Sequence, residues 1–169
     1  MPFMTEDEWG EWKGVAQSPG PKQVIPSSIF DTSIQEASDT HGVPQEVIRQ
    51  IFKQETFSGA NIKPSSKGAM GPMQIMPETA KDLAKELGVP VNLILNDYHY
   101  NIMGGTKYLA NLYKEFGDWK DVAGAYHSGP TFWAKVRAGL SKVGPKAARY
   151  IEKFGEELQF VHGRTDPLT

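Results

Sequence analysis

From Ser28 onward, apolar side chains recur at helical intervals, and a glycine or proline stands at almost every break between one run and the next. That alternation predicts short helices joined by tight turns, with little room for sheet. The first run, 29–41, carries Ile29, Ile34 and Ala37 and stops at Gly42. Pro44 opens the second at the position where a missing N–H costs least. Its stripe is Val47, Ile48, Ile51 and Phe52. Pro77 opens a third, with Ala80, Leu83, Ala84 and Leu87 inward and Gly88 as its stop. Asn96 or Asp97 caps the longest, whose stripe is Ile102, Leu109, Leu112, Tyr113 and Phe116 ahead of Gly117. Asp118 and Asp121 fit a capping pattern for 119–127. Gly129-Pro130 breaks that helix, and Thr131 starts a short one with Phe132, Trp133 and Val136. Pro145 opens the last, with Ala148, Ile151, Phe154 and Leu158. Residues 57–72 are rich in Gly, Ser and Pro and read as a loop. A two-stranded ribbon fits only within 57–72 or around 89–95. The expected class is mainly α, a compact multi-helix domain over 29–161.

Residues 1–28 differ in kind. Pro2, Pro19, Pro21 and Pro26 alternate with Gly10, Gly14 and Gly20, while Trp9 and Trp12 are spaced to share one helical face. This leader reads as a short helix or arm packed on the domain, or as a docking segment for a partner. The tail, 162–169, has no pattern. At 169 residues, 39% hydrophobic and 22% charged, the chain can bury a core without staples. A net charge of -2 gives no argument for a nucleic-acid partner, although a local basic patch is compatible with it. The absence of cysteine removes disulfides, thiolate metal sites and a thiol nucleophile. His41, His99, His127 and His162 lie far apart with no helix-face pair, so neither a metal site nor a cofactor is expected. No segment is long and apolar enough to span a bilayer. The acidic start MPFMTEDEWGEWKG lacks the pattern of a signal peptide.

Glu55 breaks its own pattern. It falls four residues after Ile51 and seven after Ile48, where a core residue is expected. A carboxyl on such a face loses hydration, which favours the protonated form and suits a general acid near neutral pH. The plain alternatives are a side chain bent into solvent, or one paired with Lys53 or Lys67. The residues C-terminal to Glu55 favour the acid. Ser58, Gly59, Asn61, Ser65 and Ser66 make a polar loop, Gly68 and Gly71 permit close backbone approach, and Gln74 offers both donor and acceptor. Such a wall suits the hydroxyls and acetamides of a sugar.

Here the residues resemble a known family. Gln54-Glu55-Thr56-Phe57, with SSKGAMGPMQIMPETA at 65–80, is similar to the soluble lytic transglycosylases, whose fold is goose-type-lysozyme-like and which cleave bacterial peptidoglycan. Glu55 matches the family's catalytic Glu. Ser65, Gly68, Ala69, Gly71, Met73, Gln74, Met76, Pro77, Thr79 and Ala80 match its next motif. Asn101-Ile102 with Gly105 and Tyr108-Leu109, then Ala125-Tyr126 before Gly129, then Arg149-Tyr150 after Pro145, match three later segments in order. The resemblance covers about residues 30–160. It implies Glu55 as catalytic acid/base, with Thr56, Ser65, Met73, Gln74, Tyr126, His127 and Tyr150 binding substrate. Thr56 replaces the usual Ser, Pro72 a Leu, and His127-Ser128 an Asn-Ala. The span from Glu55 to Gln74 is one residue longer than usual.

The implied chemistry uses a single carboxylate. The acid protonates the glycosidic oxygen leaving muramic acid C1, the N-acetyl carbonyl stabilises the cationic carbon, and the C6 hydroxyl closes a 1,6-anhydro ring. A hydrolytic muramidase is the nearest rival and needs a water-activating carboxylate, for which Glu78 and Asp97 are the candidates. A non-catalytic wall-binding or structural virion domain is the rival from another class. The lack of a signal peptide suggests phage delivery in a virion or release as an endolysin, with a specialised bacterial secretion system as the other route. The expected partners are peptidoglycan strands and, in a virion, other virion proteins; the isolated chain is expected to be a monomer.

Overall fold

A computed structural model of the chain describes residues 27–162; the leader with Trp9 and Trp12 and the tail beyond His162 lie outside the described residues. Among the described residues there are eight helices and no strand beyond one isolated bridge, so the mainly α expectation holds. In chain order they are α1 (Ser27–His41), α2 (Gln45–Thr56), α3 (Pro77–Leu87), α4 (Val91–Asn96), α5 (Tyr98–Phe116), α6 (Trp119–Ser128), α7 (Pro130–Arg137) and α8 (Pro145–His162). None is long and apolar enough to cross a membrane.

The helix ends follow the local chemistry. The Asp97 side chain accepts from Tyr100 N at 2.9 Å and caps α5, and Asp118 accepts from Asp121 N at 3.3 Å at the start of α6. Pro77 and Pro130 open α3 and α7, whereas Pro44 stands one position outside α2 as its cap residue. Gly88 and Gly117 end α3 and α5 in the left-handed conformation.

Two apolar cores result. The larger joins Phe30, Ile34 and Ala37 of α1 to the full α2 stripe, to Ile102, Leu109 and Leu112 of α5, and to Phe154 and Leu158 of α8. The smaller packs Ala80, Leu83 and Ala84 of α3 on Ile94 of α4 and on Ile75. Three expectations need correction. Ile29 is half exposed and Phe30 takes the inward place, because 30, 34 and 37 share a face that 29 does not. Ala148 is exposed and Ala147 buried, so the inward row of α8 is 147, 150, 154 and 158. The ribbon does not form. Residues 91–96 coil into α4, burying Ile94 completely, and the loop before α3 holds only the Met70–Ile75 bridge.

That loop is seated between the two cores. Met73 is buried in the larger and Ile75 in the smaller. Gln74, between them, adopts a left-handed backbone (φ 52), and its side-chain amide bonds Lys63 O and Gly71 O. Close approach demands glycine at two points. A Cβ on Gly105 of α5 would lie 2.5 Å from Met73 Sδ, and one on Gly71 would collide with the Asn101 amide.

Candidate active site

Glu55 sits on the last turn of α2, on the side that Ile48 and Ile51 bury. It is bent neither into solvent nor toward a lysine: Lys53 pairs with Glu157 at 2.6 Å. Instead Glu55 Oε1 accepts the Tyr150 hydroxyl at 2.9 Å. Burial raises its pKa from the ordinary 4.5 to about 7, and the Tyr150 hydrogen bond pulls the other way. The shift therefore comes from desolvation. A carboxyl in this state holds its proton near neutral pH and can act as a general acid there.

Tyr150 comes from α8 and is fixed by a second bond, from Gln54 Nε2 to its backbone oxygen at 2.8 Å. Adjacent residues of α2 therefore bind Tyr150 through its phenol and its carbonyl. Burial and the neighbouring Glu55 charge push the Tyr150 phenol well above its usual pKa, so it remains a donor. Tyr126, from α6, donates to Met73 O at 2.6 Å and its phenol is likewise pushed well up, by burial first and then by Glu55. The His127 ring packs on Tyr150 with centroids 4.6 Å apart. Burial, then Lys146 and Lys67, hold His127 below its usual pKa, which favours the neutral imidazole. Removing the phenol has a signed consequence. Tyr150→Phe deletes the one interaction that favours the Glu55 carboxylate, so an NMR titration of its carboxyl carbon should place the pKa above that of the wild type; a fall would contradict the arrangement.

Tyr126 and His127 line a cleft of about 310 Å³ together with Gln74, Met76, Tyr108 and Lys67 among others; Glu55 and Tyr150 are not in its lining and connect to it through the His127 ring packed on Tyr150. The Gln74 amide nitrogen is committed to Lys63 O and Gly71 O, both at 3.0 Å, which fixes the side chain at the cleft wall. The structure thus gathers Glu55, Gln74, Tyr126, His127 and Tyr150. Three other residues expected to touch substrate are placed differently. Thr56 is fully buried, and its hydroxyl donates to Pro72 O at 2.8 Å, tying the loop to α2. The Met73 side chain is fully buried as well. Ser65 is exposed, but its hydroxyl accepts from Ala69 N at 2.9 Å and Lys67 N at 3.3 Å, closing a loop turn. None of the three is among the residues lining the cleft.

Two residues matter more than sequence reasoning suggested. Asn101, fully buried on α5, accepts from Met73 N at 2.8 Å and donates to Met70 O at 3.0 Å and Ile94 O at 2.8 Å. Its signal was a polar residue adjoining Ile102 within an apolar run. Tyr108 lines the cleft and meets Tyr126 edge to face at 5.3 Å; burial, then Glu115, raises its pKa to about 12. The two candidate water-activating carboxylates are otherwise engaged. Glu78 is exposed and bonds Lys81 at 2.9 Å, and Asp97 caps α5. Among the described residues, no cluster of three or more His, Asp or Glu side chains is arranged to hold a metal ion.

Comparison with known proteins adds to this geometry. Residues 32–148 match the family described as the transglycosylase SLT domain. The soluble lytic murein transglycosylase of Escherichia coli K12 is 37% identical over 102 residues, which is 58% of this chain and 15% of that protein. The chain therefore spans about 15% of the length of the curated relatives it matches. Among solved structures, the 70 kDa soluble lytic transglycosylase of Escherichia coli superposes with a TM-score of 0.63 at 26% identity, covering 79% of this chain and 24% of that one. The same enzyme in complex with bulgecin A aligns equally well, at 25% identity. An inactive mutant of lytic transglycosylase Slt from Pseudomonas aeruginosa shares the fold with a TM-score of 0.66 at 21% identity, over 79% of this chain and 24% of that one.

Proposed function

Because the chain belongs to the transglycosylase SLT domain family, we propose that it is a peptidoglycan lytic transglycosylase acting on the bacterial cell wall, with Glu55 as its acid and base. It cleaves the β-1,4 bond between N-acetylmuramic acid and N-acetylglucosamine. The observation that carries this reading is the Glu55 carboxyl, held protonated to about pH 7 by burial and bonded to Tyr150, whose ring packs on the cleft-lining His127.

In the proposed reaction, protonated Glu55 donates to the glycosidic oxygen as it leaves muramic acid C1. The substrate's own N-acetyl carbonyl stabilises the cationic carbon, so no second protein carboxylate is required. Ionised Glu55 then takes the proton of the C6 hydroxyl, whose oxygen bonds C1 and closes a 1,6-anhydro ring. No water is consumed, and the acid ends the cycle protonated. Tyr150 steadies the carboxylate of the intermediate state through its O–H, at the moment when that charge sits in a desolvated place. Gln74 and His127 offer polar groups to the sugar along the wall, and Tyr126 holds that wall through Met73. Much of the rate in such a closure comes from holding the hydroxyl against the reacting carbon.

The hydrolytic alternative lacks a free carboxylate among the two named for it, since Glu78 and Asp97 have other partners. The product decides between them. Mass spectrometry of a digest of purified peptidoglycan is expected to show muramic ends lighter by one water than the reducing ends a hydrolase leaves. Reducing ends alone would reject the ring closure and retain only the acid.

A further inference from the structure

We infer that the His127 end of the cleft binds a carboxylate carried by the glycan strand, through Lys67 on the cleft wall and Lys146 outside it, on the helix that carries Tyr150. This deepens the lytic reading and rests on it for the identity of the strand. The chain as a whole carries -2, yet cations gather here. Lys67 lines the cleft together with His127. Lys146 stands in the first turn of α8, four residues before Tyr150 and on the same face, and the Tyr150 ring packs on that of His127. The imidazole is held below its usual pKa by burial first, with the Lys146 and Lys67 charges adding in the same direction.

Nothing among the described residues neutralises the pair. The ion pairs there involve other side chains, so neither Lys67 nor Lys146 has a carboxylate partner among them. No described Asp or Glu lines the cleft. The N-terminus of α7, whose Gly129 and Pro130 line the cleft, adds partial positive charge, and its first turn contains no acidic residue. The charge reverses further along. A neighbouring groove of about 580 Å³ shares Thr79, Tyr108 and Pro130 with the cleft but sets Glu78, Asp82, Glu86 and Glu115 against Lys81 and Lys85, an acidic excess. An anionic group on a bound strand is therefore drawn to the His127 end and repelled from the α3 end. On peptidoglycan, such a group is the lactyl carboxylate of a bare muramic acid or a carboxylate of an attached peptide.

The test measures binding, not turnover, using the Glu55→Gln protein so that strands stay intact. Four probes are used: strands stripped of peptide, strands bearing peptide, and each with its carboxylates converted to methylamides. At low salt, Lys67→Met with Lys146→Met is expected to weaken binding of a carboxylate-bearing strand by about five- to tenfold, the scale of two exposed charge contacts. Binding of the methylamide strands should change by less than about twofold, and Lys67→Arg with Lys146→Arg should restore the preference. Selective loss on stripped strands assigns the lactyl carboxylate, and selective loss on peptide-bearing strands assigns the peptide. Equal loss on charged and methylamide strands, or no loss, overturns the inference. Failure of the lytic reading would register separately, as undiminished lysis by Glu55→Gln.

Discussion

Glu55→Gln is expected to remove lysis of purified peptidoglycan, a drop of roughly a hundred- to ten-thousandfold, while leaving the fold intact. Glutamine keeps an oxygen at Oε1 for the Tyr150 hydroxyl and occupies the same space, but it has no proton to give. Stability as a function of pH separates the two effects. The folded pKa of Glu55 lies near 7 and its ordinary value is 4.5. Between those values the folded chain holds a proton that the unfolded chain has lost, so wild-type stability falls as pH rises through this window. The difference amounts to at most about 3 kcal/mol. Below the window both proteins present a neutral side chain and should unfold at similar temperatures. Above it the wild type must carry a desolvated charge, and the Gln variant should be the more stable. Wild-type activity should fall as pH rises above about 7, when the acid loses its proton. Undiminished lysis by Glu55→Gln, in a protein shown to be folded, would reject Glu55 as the acid.

The helical plan was legible because it depends on local chemistry. Apolar periodicity located the α2 stripe, and Gly88, Gly117, Asp97 and Asp118 stand at the ends they were expected to mark. What failed was register and context. A run such as 89–95 has the length of either a strand or a short helix, and periodicity cannot arbitrate so short a span; packing of Ile94 against α3 and α5 did. In α8 two adjacent alanines left the face undetermined by one position, and Tyr150 rather than Ala148 decided it by turning inward to Glu55. Glu55 was visible as a charged residue on an apolar stripe, and its burial against Tyr150 is what the fold adds. The roles of Thr56, Ser65 and Met73 were not, because a motif records which residues recur near a site and not whether they face ligand or backbone. The Thr56 and Ser65 hydroxyls serve loop geometry here, a commitment that only tertiary contacts reveal.

Asn101→Ala is expected to lower stability by about 3 kcal/mol or more, a fall of roughly 6–12 °C in melting temperature, and to reduce lysis at least about tenfold at temperatures where the variant is still folded. The reason is that one buried amide satisfies the Met73 N–H and two carbonyls, Met70 O and Ile94 O. Removing it strands the Met73 N–H in a place water does not reach and leaves a hole where the amide stood. The same peptide segment carries the Met73 carbonyl that Tyr126 bonds and the Gln74 side chain at the cleft wall, so looseness there reaches the site directly. Gly71 supplies the check on this mechanism. Gly71→Ala should be destabilising on its own, both because a Cβ would strike the Asn101 amide and because φ is +80 at that position. With Asn101 already reduced to Ala the collision disappears and only the backbone strain remains. The double variant should therefore be more stable than the sum of the two losses predicts, by about 1 kcal/mol or more. Strictly additive losses would mean that Asn101 and Gly71 do not act as one clamp on the loop.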